Sequence, residues 1–505
     1  MILSRRILKD INIAEVQVPA DSMFDLPEKV IQFGTGVLLR GLPDYFIDKA
    51  NRSGIFSGRI IVVKSTDSGE ASAFEKQNNL YTLCIRGLEH GKPIEENSIN
   101  SSISRVLSAK TQWDTILQTA HQPQLSIIIS NTTEVGIQLV KETIHQNPPS
   151  SYPAKLLAFL YERFTVFNGS AESGMIIIPT ELLVDNGKKL KSIVVELAAF
   201  NGLSNEFIHW LKNNNSFCSS LVDRIVPGKP IPAQKKLLES TFGYEDDLMI
   251  IAEVYRLWAI EGNEYIRSVL SFAAIDEGVV IAPSIELFRE LKLRMLNGTH
   301  TLSCGLAFLS GFETVKQAMN NEWMSHCIRK IMMNEIAPAI PLAIDKKIYE
   351  DFGNKVMDRF RNEFIEHQWI NITLQYTSKL RMRVVPVLCK HYQLYQSPPV
   401  YIATGFAAWF LFMRSVKKEG DQYFGALADK QYPIKDDHAP ELHDYWNKHP
   451  DGTKPDSIFS NTAIWGDDLN RLPGFTEAVE EKLQQMLNEG VAETIQLIQS
   501  KKSIA

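Results

Sequence analysis

From about residue 27 to 230, short apolar runs alternate with amphipathic ones. "KVIQFG", "GRIIVVKS", "QLSIIISN" and "GMIIIPT" are rich in β-branched residues and punctuated by Gly, Asn or Ser, which predicts strands buried on both faces. Between them, "LPDYFIDKANRSG" and "SSYPAKLLAFLYERFTVF" have helical spacing. Buried strands separated by helices predict an α/β fold with a parallel sheet. After about 245 the β-rich runs give way to long helical patterns: "DDLMIIAEVYRLWAIEG", "SIELFRELKLRMLNGTHTLSCGLAFLSGF", "NKVMDRFRNEFIEHQWI", "PPVYIATGFAAWFLFMRSVKKE" and "FTEAVEEKLQQMLNEGVAETIQLIQS". A mainly α-helical C-terminal domain is expected. The polar stretch 227–247, "PGKPIPAQKKLLESTFGYEDD", is the expected linker, dividing the chain into domains 1–240 and 241–505.

Length supports two domains, because 505 residues exceed the roughly 250–300 at which single cores stop growing. A net charge of −6 disfavours bulk attraction to nucleic acid, and no apolar run reaches the length of a membrane span. The start, "MILSRRILKDINIAE", lacks the apolar core of a secretory signal. Cys84, Cys218, Cys304, Cys327 and Cys389 are scattered and odd in number, without a C-x-x-C pair. That spacing suits a reducing cytoplasm and argues against structural zinc. His438, His443 and His449 sit near three aspartates in "KDDHAPELHDYWNKHP", but the spacing matches no ligand set, so a solvated loop and no metal are expected. The expected assembly is a monomer or small homo-oligomer.

Candidate chemistry begins where the first strand ends. "VIQFGTGVLLRG" runs from strand through Phe33, Gly34, Thr35 and Gly36 into a helical pattern. Gly34 permits a tight turn, Gly36 lets backbone approach a pyrophosphate, and the helix offers its first N–H groups to the anion. The third glycine stands at 41, not 39, so this is a variant of the dinucleotide fingerprint. The second strand ends in "VVKSTDSG": Asp67 would accept from ribose hydroxyls and favour NAD, whereas Lys64 would face a 2′-phosphate and favour NADP. "IIISNTTEVGI" places Asn131, Thr132, Thr133 and Glu134 at another strand terminus, where α/β sheets collect ligand contacts.

The second candidate is "KLRMLNGTH", residues 292–300. On an ideal helix Asn297 lies about 140° and His300 about 80° from Lys292, so the three share one sector. Hydride exchange at an alcohol carbon needs a base for the hydroxyl proton and donors for its oxygen. Lys292 serves as the base where burial favours its neutral amine, Asn297 donates without changing charge, and His300 binds a neighbouring hydroxyl or holds the lysine in place.

Lys-x4-Asn-x2-His within an apolar helix resembles the signature of the polyol-specific long-chain dehydrogenases, the mannitol dehydrogenase family. "FGTGVLLRG", "NNLYTLCIRG", "NSFCSSLVDRIVPG" and "SKLRMRVVPVL" agree with it, so the resemblance spans most of the chain. Within that family, "SNTTEVGI", "IIIPTELLVDNGKKL", "AEVYRLWAIEG" and "AIWGDDL" are most similar to the tagaturonate reductase branch, which interconverts a keto-uronate and an aldonate with NAD(H) in hexuronate breakdown. The resemblance implies a metal-independent cytoplasmic secondary-alcohol dehydrogenase with a Rossmann-type NAD-binding domain before a helical one. It makes Lys292 the general acid/base, Asn297 the carbonyl polariser and His300 a substrate-positioning group. One element departs: where polyol-acting members carry Cys-Asp-Asn, this chain has "PTELLVDNG", leaving Asn186 or a backbone group as second oxyanion donor.

A uronate-derived substrate brings a carboxylate, which calls for a cation, preferably arginine. "YTSKLRMRVVP" supplies Lys379, Arg381 and Arg383, which share one face if extended, and Arg256 lies in "EVYRLWAIEG". Lys379, Arg383 and Arg256 are therefore expected at the small-molecule sugar acid. Two rivals differ in class. A 6-phosphogluconate-type dehydrogenase would space lysine and asparagine as Lys-x3-Asn, which Lys292 and Asn297 do not. A non-catalytic sugar-acid sensor would need no working base.

Overall fold

Strand β1 (Glu28–Phe33) lies inside a six-stranded sheet with β2 (Arg59–Lys64), β3 (Ile103–Ser108), β4 (Ile127–Ser130), β5 (Ile176–Pro179) and β6 (Ser216–Phe217). In the computed structural model, which describes residues 1–12, 14–65, 71–132, 136–450 and 454–501, the order is β3-β2-β1-β4-β5-β6 and every pairing is parallel. The order reverses between β1 and β4, the switch point at which such sheets open a crevice beyond their strand C-termini. This is the expected Rossmann-type sheet.

The strand sequences explain its burial. Along each strand alternate residues face opposite sides. Val30, Ile60, Val62, Ile127, Ile129, Ile176 and Ile178 enter one core. Ile31, Phe33, Ile61, Val63, Ile128 and Ile177 enter the other, under the helices Tyr152–Val166 and Asn186–Phe200. Because both faces are covered, the strands read as continuous apolar runs and not as alternating ones.

The chain divides into two compact units, 1–87 with 93–285 and 88–92 with 286–505. The division falls later than the expected 240. "DDLMIIAEVYRLWAIEG", expected to be helical, instead forms the strands Ile250–Glu253 and Leu257–Glu261. The first pairs in parallel with Leu83–Arg86 and the second antiparallel with Ser220–Asp223. Leu248 to Ala252 are all buried, and a fully buried run has no periodicity with which to separate strand from helix. Pairing to earlier strands holds this region in the first unit. The expected linker contains the helix Pro232–Phe242, opened by proline and closed by Gly243 at φ +78°.

The second unit is mainly helical, as expected, with a small antiparallel sheet of the strands Lys417–Glu419, Gln422–Leu427 and Lys430–Ile434. Its core centres on the helix Val400–Phe412, where Phe406 and Trp409 pack against Trp465, Phe459 and Phe475. The segment around His438 and His443 is not a loop: Ala439–Lys448 is a helix with Pro440 in its first turn, burying Leu442, Tyr445 and Trp446. Among the described residues no helix is long and apolar enough to cross a membrane, and no group of three or more His, Cys, Asp or Glu could hold a metal ion.

Candidate functional site

In the first unit, the turn after β1 is shaped by Gly34. Its φ is +132°, its N–H donates to Val63 O at 3.0 Å, and a Cβ there would stand 2.9 Å from Asn131 O. Glycine alone tolerates both the dihedral and the approach. Thr35 is half-buried and Gly36 exposed. Gly36 immediately precedes the helix Val37–Gly41, which has no side-chain N-cap, and a Cβ on it would meet nothing within 4 Å. N–H groups that no side chain caps among the described residues, beside open space at a sheet's C-terminal edge, fit a dinucleotide pyrophosphate.

The neighbouring strand ends complete this edge. Asn131 N–H donates to Phe33 O at 3.1 Å, and its side chain to Thr180 Oγ1 at 2.9 Å. Phe33 itself is buried, its ring 5.3 Å from that of Tyr152. Thr132 donates through N–H and Oγ1 to Glu181 Oε1, at 2.8 and 3.0 Å, and Ser130 Oγ donates to Glu181 Oε2 at 3.2 Å. Glu181 thus braces the β4 terminus. Sequence reasoning passed over it, though a lone acid directly after a buried strand was the available signal. Lys64 is buried at the end of β2 and lines a cavity of about 670 Å³ with Arg5, Arg59, Glu75 and Arg105. Asp67, Thr133 and Glu134 lie outside the described residues.

Two residues expected at the substrate are committed elsewhere. Asn186 is fully buried; its Nδ2 donates to the carbonyls of Pro179, Glu181 and Ser220, and its Oδ1 accepts from the N–H groups of Gly187 and Ser220. Its amide stitches β5 to the chain after β6 and has no proton left for an oxyanion. Arg256 donates through Nε to Asp276 at 2.8 Å and through Nη1 to Val254 O at 2.8 Å, with its guanidinium over the Tyr45 ring. It is part of a structural ion pair.

In the second unit, Lys292 and Asn297 lie on Leu291–Gly298, which is a π-helix, not the ideal α-helix of the sector argument. Such widened turns are rare and recur at functional sites, and composition gives no sign of them. His300 follows on the helix Thr299–Leu309. Lys379 and Arg383 lie on the helix Tyr376–Arg383, so the extended reading of that segment is corrected. Their common face survives because they are four residues apart. Arg381 does not share it, being exposed and donating to Ala463 O at 3.0 Å.

The two helical segments are tied together by side chains. Arg294, buried, pairs with Glu290 at 3.0 Å and donates through Nη1 to Met382 O at 2.5 Å and Arg383 O at 3.2 Å, closing the C-terminal end of the second helix. Thr301 Oγ1 donates to Asn297 O at 2.7 Å and accepts from Arg383 Nη1 at 3.0 Å. Arg294 and Thr301 were both missed from sequence, since neither carries a motif. Lys379 Nζ donates to Ile372 O at 2.9 Å.

Charge and burial set the protonation states. Burial, then the charges of His367, Arg359, Arg383 and Lys379, hold the His300 imidazole well below its usual range, so it is neutral at pH 7. Burial, then Arg383, lowers Lys379, and burial lowers Arg383. Among the described residues, His300 Nε2 and Arg383 Nε are both buried atoms without a hydrogen-bond partner. An amine, an amide, a neutral imidazole and a cationic helix face can move a proton, polarise a carbonyl and hold an anion.

Comparisons with known proteins match this organisation. The family model described as the mannitol dehydrogenase Rossmann domain matches residues 28–272, and that of the mannitol dehydrogenase C-terminal domain residues 284–487. The chain is 34% identical over 480 residues to an altronate oxidoreductase of Halalkalibacterium halodurans, covering 93% of each chain. It is 35% identical over 475 residues to an altronate oxidoreductase of Yersinia enterocolitica, covering 92% of this chain and 95% of the other. Among solved structures, the Pseudomonas fluorescens mannitol 2-dehydrogenase ternary complex with NAD and D-mannitol aligns over 99% of this chain and 100% of its own, with TM-score 0.68 and 21% identity. A substrate-free D-sorbitol dehydrogenase aligns over 98% and 100%, with TM-score 0.79 and 20% identity. At those identities the two structures speak to the fold.

Proposed function

The chain belongs to the mannitol dehydrogenase family, and from that premise we propose that it is an NAD(H)-dependent secondary-alcohol dehydrogenase that reversibly reduces D-tagaturonate to D-altronate. The observation that carries the sugar-acid reading is the common face of Lys379 and Arg383 on the helix Tyr376–Arg383, whose charges act on His300. A polyol offers such a face only hydroxyls, whereas a uronate-derived acid offers a carboxylate that compensates it. The altronate oxidoreductases similar to this chain over nine-tenths of its length support the same substrate class.

The nicotinamide, when bound, supplies the hydride in reduction and takes it in oxidation. Phe33, Gly34, Thr35, Gly36, Asn131 and Thr132 are the residues that would hold the cofactor. Lys292 gives an ammonium proton to the ketone oxygen during reduction and, as the free amine, takes it from the alcohol during oxidation. Asn297 donates its amide N–H to that oxygen and stabilises the charge developing there. Neutral His300 positions a neighbouring hydroxyl without adding charge. Lys379 and Arg383 hold the carboxylate end.

The test is oxidation of NADH and of NADPH by the purified chain with tagaturonate, fructuronate and fructose in parallel, beside Lys292→Ala. Rapid NADH-linked turnover of tagaturonate, lost in the variant, supports the reading. Preference for fructuronate moves the substrate to the other keto acid, and turnover of fructose alone removes the carboxylate from the assignment. Cofactor binding without turnover of any of the three leaves the sensor.

A further inference from the structure

Thr301 is fully buried, one helical turn beyond Asn297. Its hydroxyl donates to Asn297 O at 2.7 Å, its oxygen accepts from Arg383 Nη1 at 3.0 Å, and the same Nη1 lies 3.5 Å from Asn297 O. One end of the guanidinium is therefore pinned to the turn that carries the carbonyl-polarising asparagine. Among the described residues nothing engages its opposite edge. Nε is buried without a hydrogen-bond partner, and Nη2 makes no hydrogen bond among the described residues.

A guanidinium is planar and stiff, so fixing Nη1 fixes the direction of the other N–H bonds. The Nε–H and Nη2–H bonds run side by side and match the two oxygens of a carboxylate. A buried N–H with no acceptor is unfavourable unless a ligand supplies one. The groups acting on neighbouring His300 are of basic type: His367, Arg359, Arg383 and Lys379. Asp436, which acts on Lys379, is itself engaged by the N–H groups of Thr377 and His438, at 2.7 and 3.0 Å. An anion with two acceptor oxygens suits this edge better than a hydroxyl, which has one.

Resting on the reading of the chain as a keto-uronate dehydrogenase, we propose that Thr301 is a positioning residue for substrate specificity: it holds Arg383 so that the Nε/Nη2 edge takes the substrate carboxylate side-on. Thr301 touches no reacting atom. It acts through Arg383, and the interaction distinguishes a sugar acid from the neutral ketose in which a hydroxymethyl group replaces the carboxylate.

The experiment measures kcat and KM of the purified full chain with tagaturonate and with D-tagatose, its neutral counterpart, for wild type, Thr301→Val, Thr301→Ser, Arg383→Lys and the Thr301→Val/Arg383→Lys double variant. Thr301→Val raises KM for tagaturonate by about tenfold, the loss of roughly one hydrogen bond to a charged group, with kcat changed less than about twofold. Thr301→Ser restores KM, and Thr301→Val adds nothing in the Arg383→Lys background because the fork is already gone. Additive losses, equal losses on both ketoses, or a fall in kcat alone overturn the proposal. If Thr301→Val does not fold, Thr301→Ala takes its place in the same cycle. Wild-type turnover of neutral ketoses only overturns the proposed function and this inference with it; wild-type preference for the acid that survives in Thr301→Val overturns the inference alone.

Discussion

The rings of His300 and Phe360 lie face to face, their centroids 4.1 Å apart and their planes 11° from parallel. His367 and Trp369 meet the same imidazole edge-on, at 5.3 and 6.0 Å. Desolvation among these rings, and then the surrounding cations, keep His300 neutral.

That environment makes stability depend on pH. The folded imidazole titrates well below 6.5, the value of an ordinary histidine, so between the two the unfolded chain binds the extra proton. The contribution of His300 is fully present above about pH 6.5 and is lost as pH falls toward the folded value, with a slope of up to about 1.4 kcal/mol per pH unit. His367 and His391 are shifted in the same direction and add to the fall. Thermal unfolding from pH 7.5 to 5 checks this: the wild-type midpoint drops, and His300→Asn drops less steeply. Parallel curves would show that His300 is not among the responsible groups.

Lys292 and Asn297 carry different parts of the proposed chemistry, and their variants should separate. Lys292→Ala loses proton transfer and lowers kcat by about 10²–10⁴. Lys292→Arg does not recover it, because a guanidinium does not release its proton near neutrality. Asn297→Ala loses a donor to the oxygen and lowers kcat by about 10²–10³. Both variants keep the first unit's glycine turn, so NADH binding, followed by its fluorescence, stays close to wild type. A Lys292→Ala enzyme within tenfold of wild type would end its role as the acid/base.

Asp44 gives the opposite pH signature. It is fully buried, and burial, opposed by Gln32 and Arg40, pushes it up to about 8. Between its ordinary value of 3.8 and about 8 the folded protein holds a proton that the unfolded chain releases. Stability from this group is therefore greatest in acid and is lost progressively as pH rises to about 8. Asp44→Asn, permanently neutral, should raise the unfolding free energy at pH 8 and change it little at pH 4. Urea unfolding at the two pH values reads the difference; equal effects at both would place the burden on packing instead of charge.

Much of this was legible in the sequence, for reasons that differ by element. The central strands declare themselves because "IIVV" and "IIIS" are β-branched, apolar and bounded by polar residues. Gly34 and Gly36 stand at the junction where such a sheet binds phosphates, and the Lys292, Asn297 and His300 spacing resembles a known signature. What stayed hidden depends on partners distant in sequence. Ile250–Glu253 is a strand because Leu83–Arg86 pairs with it, and nothing local says so. The π-helix of Leu291–Gly298 upset the angular argument, while Lys379 and Arg383 kept a common face for a reason other than the one expected. Arg294 and Thr301 matter through bonds to residues more than eighty positions away.

Asn186 separates the structural account from the expectation drawn from resemblance. As a second oxyanion donor it would have to present an N–H to the substrate, yet its Nδ2 lies within 3.0 Å of three backbone carbonyls and its Oδ1 holds two N–H groups. Removing the side chain strands those backbone groups in a buried site, where each unsatisfied one costs about 1–3 kcal/mol before relaxation. Asn186→Ala should accordingly lower the unfolding free energy by about 2–4 kcal/mol in urea titration, with kcat of the folded fraction within a few-fold of wild type. Asn186→Asp keeps the acceptor and loses the donors, so it should be destabilised as well, by placing a carboxylate among carbonyl oxygens. The contrary pattern, intact stability with kcat reduced by about 10²–10³, would return Asn186 to the oxyanion site. The two patterns differ in which quantity moves, so a single set of unfolding and rate measurements on Asn186→Ala decides between them.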